Sequence, residues 1–199
     1  ELNIENTTFS GNETEANKVY GSVIATRPNG VHPIAIKDSK FIDNITTATN
    51  PESAAIYNSG TLEFRGTNTF SGNTNGDIYS VGTVDVLDGT TTLGSGMVQD
   101  GGRTTVASGA ALTINGGEFK DSSSAVSYGG AILNEGNLSI IGEDVDGEKS
   151  VKFVNNVVTN PAKPDSHMYG GAIANKNGGT ATIDGVSFQG NGVDNSALA

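Results

Sequence analysis

Tyr169-Gly170-Gly171-Ala172-Ile173-Ala174-Asn175 opens a stretch that continues through Ala181 and Ile183 to Phe188 and Asn191, and its order of residue types recurs upstream. One copy carries Tyr128, Gly129, Gly130, Ala131, Ile132 and Asn134, then Leu138 and Ile140, then Phe153 and Asn156. A more worn copy has Ser53, Ala54, Ala55, Ile56 and Asn58, then Leu62 and Phe64, then Phe70 and Asn73. A further one reads Tyr20, Gly21, Ser22, Val23, Ile24, then Ile34 and Ile36, then Phe41 and Asn44. Leu2, Ile4, Phe9 and Asn12 form the tail of another, while Leu112, Ile114 and Phe119 keep the aromatic but place Ser122 where Asn stands elsewhere.

Repetition at this period decides architecture before any local feature does. Phenylalanines 9, 41, 70, 119, 153 and 188 are assigned one position of the repeat, at intervals of 32, 29, 49, 34 and 35 residues. The long interval predicts an extra turn of chain, whose trace is Gly76-Asp77-Ile78-Tyr79 followed by Val84 and Val86. A sandwich gives no reason for successive strands to repeat one residue at one place. A coiled sheet does, because each side chain lies over its counterpart one turn earlier and like residues stack in ladders.

The residue types suit such a coil. Strands one turn apart lie about 4.8 Å apart, so inward phenyl rings fall in the ~4.5 to 7 Å range where offset stacking is favourable. Gly-Gly-Ala makes a wall with almost no side chain, where the backbone can turn sharply or pack closely. Asn at a corner tolerates left-handed φ, and stacked Asn amides can bond one another along the axis.

Composition sets the bounds. The chain has 199 residues with 28 glycines, few aromatics and no Trp, which suits a thin elongated core better than a thick one. Short β-branched runs between Val81 and Ile114, divided by Gly, Asp and Ser, read as strands of three to five residues. Leu2 to Phe9 reads as two strands around a bend at Glu5-Asn6-Thr7, and Arg27-Pro28-Asn29-Gly30 as a turn. Glycine interrupts every candidate helix. No segment reaches the ~18 apolar residues of a membrane span. Cysteine is absent, so disulfides are excluded, and a net charge of -11 disfavours nucleic acid and anionic membrane surfaces. Because the repeat is already under way at Leu2, the chain reads as one β-helical domain, 1–199, excerpted from a longer protein.

The paired signatures Gly-Gly-Ala-Ile and Phe-x-x-Asn, at 129 to 132 with 153 to 156 and at 170 to 173 with 188 to 191, resemble the repeats of the chlamydial polymorphic outer-membrane proteins. More broadly the chain is similar to the passenger regions of autotransporter adhesins. Ser22, Ser53-Ala54 and Ser122 depart from the pattern, each with a small or turn-compatible residue. The resemblance implies an all-β fold, a right-handed single-stranded parallel β-helix of the pectate-lyase-like solenoid type. It also implies secretion to a bacterial surface, attachment through an outer-membrane translocator, and adhesion to a host-cell or matrix protein, a glycan, or another copy.

Excursions fall mainly between the Phe-x-x-Asn corner and the next Gly-Gly-Ala-Ile, so they are expected to protrude from one flank, where binding is usually placed on a rigid stack. Val157 to Met168 is one of them, and Lys163, Asp165, His167 and Tyr169 are the binding candidates there. The insertion Gly142 to Ser150 concentrates acids. Asp144, Asp146 and Glu148 partly match a calcium loop but lack its full spacing, and a solvated acidic loop is the plainer reading. No other cofactor is indicated.

Tyrosines 20, 57, 79, 128 and 169 form either an exposed aromatic stripe for sugar or protein contact or a cover over one sheet. Catalysis on this fold needs two carboxylates facing one cleft, and although Asp77, Asp85 and Asp88 are near in sequence, no acid recurs at one repeat position. His32 and His167 lack a Ser or Cys partner and read as surface residues. The expected function is non-catalytic adhesion. A structural stalk presenting another domain is the near alternative, and a polysaccharide lyase or glycosidase the distant one.

Overall fold

The structure is a computed structural model that describes residues 2–26, 33–124, 128–159 and 168–194, and in it the chain winds as a parallel β-helix. Among the described residues three sheets of seven parallel strands form its faces, one strand of each to a coil, which makes seven coils. The first sheet holds Leu2–Glu5, Ile34–Lys37, Thr61–Arg65, Thr83–Val86, Arg103–Val106, Ile132–Asn134 and Ile173–Asn175. The second holds Thr8–Ser10, Lys40–Ile42, Thr67–Ser71, Thr90–Leu93, Ala111–Asn115, Asn137–Ile141 and Thr180–Asp184. The third holds Ile24–Ala25, Ile56–Asn58, Ile78–Ser80, Met97–Asp100, Gly117–Lys120, Val151–Val154 and Val186–Gln189. The bend at Asn6 has φ 50°, as its place between the first two strands requires. The only helical element among the described residues is a 3-10 turn, Pro51–Ser53; the expected turn at 27–30 lies outside the described residues.

Alternation along each strand sends every second side chain into the bore. Ile36, Phe64 and Val86 stack in the first sheet, and all three are buried. Burial thins at the last coil, where Ile183 and Phe188 are 41% and 50% exposed. The thin core expected from composition is therefore a single file of apolar columns shared by three walls.

The six phenylalanines do not form one column. Phe9, Phe41 and Phe70 lie in register in the second sheet, but the residues that continue their column are Leu93, Ile114, Ile140 and Ile183. Phe119, Phe153 and Phe188 lie in register in the third sheet, over Gln99. Within each trio the rings stack as expected, with centroids 4.8 Å (9–41), 4.5 Å (41–70), 4.6 Å (119–153) and 5.0 Å (153–188) apart. The interval from Phe70 to Phe119 holds one strand more than two full turns. The signature thus resumes one face further round, and Ile132 and Ile173 sit in the first sheet whereas Ile24 and Ile56 sit in the third.

The same rotation corrects the expectation of a single flank. Excursions after Asn12 and Asn44 leave the corner that follows the second sheet, and open with the paired strands Glu13–Thr14 and Ile45–Thr46. Those after Ser122 and Asn156 leave the corner that follows the third sheet, through Ser123–Ser124 and Val157–Thr159, which pair with each other and with Gly192–Asp194.

Both Gly-Gly steps have the form their position demands. Gly129 and Gly170 adopt φ of 63° and 65°. Gly130 lies so close to the next coil that a Cβ would meet the carbonyl oxygen of Gly171, and a Cβ on Gly171 would meet Gly192.

Candidate functional site

The Tyr residues that precede the two C-terminal Gly-Gly steps are brought together by the coil. Tyr128 and Tyr169 form an isolated parallel bridge, and their rings stack 5.3 Å apart at an interplanar angle of 8°. Lys176, just beyond the strand Ile173–Asn175, carries its Nζ to 4.3 Å from the Tyr128 ring centroid. Its backbone N–H donates to Asn134 O, which locks the root of the side chain to the coil before it. Glu135 lies 3.9 Å from the same ammonium group and accepts from Asn177 Nδ2. Around this pair lies an open cleft of about 370 Å³, lined by Tyr128, Tyr169, Gly170, Ile173, Ala174, Asn175 and Lys176.

Its chemistry follows from these parts. Two parallel rings offer an apolar platform, one ammonium group holds a cation over one of them, and the Gly170 step leaves the wall without a side chain. Such a surface can take a flat, weakly polar ligand face and fix its orientation through few polar contacts. Of the binding candidates named from sequence, Tyr169 is at this cleft and half exposed. Lys163, Asp165 and His167 lie outside the described residues, as does His32. Lys176 was not foreseen; its only signal was its place next to Asn175 of the repeat.

The other tyrosines form a separate row on the outside of the third sheet. Tyr20 meets Tyr57 edge-on at 5.0 Å, and Tyr57 stacks on Tyr79 at 6.0 Å. Tyr79 is buried and donates to Asp100 Oδ2 at 2.7 Å, and burial pushes both the Tyr57 and Tyr79 hydroxyls above their usual range. This row behaves as the cover over a sheet, and only Tyr20, beneath Lys18, is broadly open.

The acidic insertion folds as an antiparallel hairpin, Asp144–Val145 against Glu148–Lys149. Asp146 and Gly147 close it at φ of 56° and 85°, the conformation an Asp-Gly hairpin turn selects. Asp144 accepts from Lys149 at 2.6 Å and Glu148 from Lys152 at 2.7 Å, and these bonds hold both carboxyls below their usual range. Two of the three candidate calcium ligands, Asp144 and Glu148, therefore face lysines rather than one another. Among the described residues no three His, Cys, Asp or Glu side chains gather in a group that could hold a metal ion.

The three acids considered for catalysis sit on different elements, each with partners of its own. Asp77 is buried at the corner before the third sheet, where it accepts from Asn73 Nδ2 and Ser95 N. Asp85 is on the first sheet, its carboxyl raised by burial against a bond from Thr105. Asp88 lies beyond that strand and binds Arg65 and the Gly66 amide.

Fold and cleft together define a parallel β-helix with an aromatic recess on one flank. Comparison with known proteins adds nothing to that class: no family model matches the chain, and no curated protein or solved structure does either.

Proposed function

We propose that the chain is a non-catalytic adhesive segment of a bacterial surface protein, of the autotransporter passenger kind, which holds a host or matrix glycan or protein in the Tyr128–Tyr169 cleft. The observation that carries this reading is the stacked, half-open tyrosine pair with Lys176 beside it. A rigid stack with excursions is a suitable frame for such a site, since loops carry binding while the coil fixes their spacing. Asp77, Asp85 and Asp88 are each engaged by partners of their own, Asp77 by Asn73 and Ser95, Asp85 by Thr105 and Asp88 by Arg65 and Gly66, which favours a binding role over a hydrolytic one. The likeness of the Gly-Gly-Ala-Ile and Phe-x-x-Asn signatures to the chlamydial repeats supports the surface location.

The test is an array of glycans and matrix proteins probed with the chain and with Tyr128→Ala and Tyr169→Ala variants. A set of ligands retained by the parent chain and lost by both variants is the expected result. Retention of every ligand by both variants, with their fold intact by circular dichroism, would remove the cleft from the reading.

A further inference from the structure

A second recess lies on a different corner of the coil from the tyrosine cleft, beneath the acidic hairpin. It measures about 540 Å³ and is lined by Gly94, Ser95, Asn115, Gly116, Ile141, Glu143 and Ser150. Successive coils build its floor. Gly94 follows the strand Thr90–Leu93, and Asn115 and Ile141 are paired in the second sheet one coil apart. Gly116 has φ 97°, and open space is all that a Cβ there would meet, so the floor is bare backbone. The hairpin forms the overhang. Its stem is held shut by the bond from Ser150 N to Glu143 O at 2.8 Å and that from Glu143 N to Ser150 Oγ at 2.6 Å.

The lining is not neutralised from within. Lys149 and Lys152, the cations of the hairpin region, are engaged by Asp144 and Glu148. Among the described residues neither the Glu143 carboxylate nor the Asn115 side-chain amide has an ion pair or hydrogen bond. Ile141 is 47% exposed, and Asp184 follows it in the same outward column. The recess therefore offers one carboxylate, one amide with both donor and acceptor free, one hydroxyl proton on Ser150 and one apolar wall, in a negative field.

We propose that this recess is a ligand site for an amino sugar unit, a hexose-sized polyol with a free amine. Its ring C–H face lies on Ile141 and the glycine floor, its hydroxyls meet Asn115 and Ser150, and its ammonium group meets Glu143. The volume falls within the ~300 to 1,000 Å³ typical of small-ligand clefts. A sugar acid is rejected, because its carboxylate would face Glu143 with no cation to meet it. This assignment stands apart from the tyrosine cleft.

Titration of the full chain with glucosamine, glucose and glucuronate, followed by amide chemical shifts, tests it. Glucosamine is expected to bind saturably, with shifts centred on Asn115, Gly116 and Ser150, glucose more weakly, and glucuronate not at all. Glu143→Gln is expected to lower glucosamine affinity roughly tenfold, since it removes a charge-assisted bond, and to leave glucose binding unchanged. Tyr128→Ala leaves all three titrations as they were, which separates this site from the adhesive cleft. Absence of saturable glucosamine shifts, equal binding of glucuronate, or a Glu143→Gln variant indistinguishable from the parent would overturn the assignment.

Discussion

At the residue scale, the reason Phe and Asn travel together in the repeat is a hydrogen bond across one turn. Asn44 Nδ2 donates to Phe9 O, Asn73 Nδ2 to Phe41 O, Asn156 Nδ2 to Phe119 O and Asn191 Nδ2 to Phe153 O. Three bonds also link amide to amide along the axis: Asn12 donates to Asn44, Asn44 to Asn73, and Asn156 to Asn191, at 2.7 to 2.8 Å. Ser122 occupies the Asn position at one end of the second ladder, where its backbone N–H still donates to Asn156 Oδ1 and no amide is needed to pass the chain on. Phe153, buried between Phe119 and Phe188, is where the stack bears most on stability. Phe153→Ala is expected to cost about 3 to 5 kcal/mol, read as a fall in urea midpoint, while half-exposed Phe188→Ala costs clearly less. The first ladder ends on a carboxylate, because Asp77 Oδ1 accepts from Asn73 Nδ2 at 2.7 Å. Burial lifts the Asp77 carboxyl from 3.8 to about 6, against the bonds from Asn73 and Ser95. The folded chain keeps this proton where the unfolded chain has released it. The resulting stabilisation is therefore complete below the unfolded value and is lost as pH rises through the folded one. The unfolding free energy of the parent minus that of Asp77→Asn should fall by on the order of 3 kcal/mol across this window; a difference that stays level with pH would reject the burial argument.

At the element scale, the strand pattern was legible and its phase was not. Alternating apolar residues and glycine corners mark nearly every strand, and the turn at Gly76 to Val86 takes its expected place, Ile78 pairing with Ile56 and Val84 with Leu62. The rotation of the signature was hidden because one repeat is also one turn. Phase can be tracked only by counting strands, and from Val81 to Ile114 the strands are short and carry no Phe-x-x-Asn marker. The hairpin was visible as a delay before Phe153, yet nothing in sequence says which neighbouring coils it overhangs. The tyrosine cleft was half legible: Tyr128 and Tyr169 share one repeat position and so stack one coil apart, but nothing in the repeat marked Lys176 as their neighbour. Within this unmarked region Thr91 carries a cost of its own. It continues the inward column of Asn68 and Leu112, and its hydroxyl is buried with no hydrogen-bond partner among the described residues. Val has nearly the same shape, so Thr91→Val should raise stability by roughly 1 to 3 kcal/mol, measured by urea unfolding. A loss instead would mean that the hydroxyl is satisfied by ordered water.

At the scale of the whole molecule, a coil contacts chiefly the coils before and after it, so stability approximates a sum of coil and interface contributions. The fourth coil tests that view, since Thr83 pairs with Arg103 and Val86 with Val106, one full turn apart. Removing residues 83–102 joins Gly82 to Arg103 without changing the phase of anything downstream. Leu62 then lies against Thr104, Phe64 against Val106 and Phe70 against Ile114, so the inward columns of the first two sheets stay filled and neither Phe trio is touched; in the third sheet Ile78 loses Met97 and comes to lie over Gly117. The shortened chain should give a strand-type circular dichroism spectrum and a single unfolding transition. Its urea midpoint should lie below that of the parent, because one coil and one interface are gone while the ladders remain. Both clefts provide an internal control. The tyrosine cleft lies entirely in coils that remain and should keep its ligands, whereas the hairpin recess loses Gly94 and Ser95 from its floor and should lose glucosamine. Aggregation of this variant, or two separate transitions in its unfolding, would show that the fourth coil is a joint between two independently wound halves rather than an interchangeable turn.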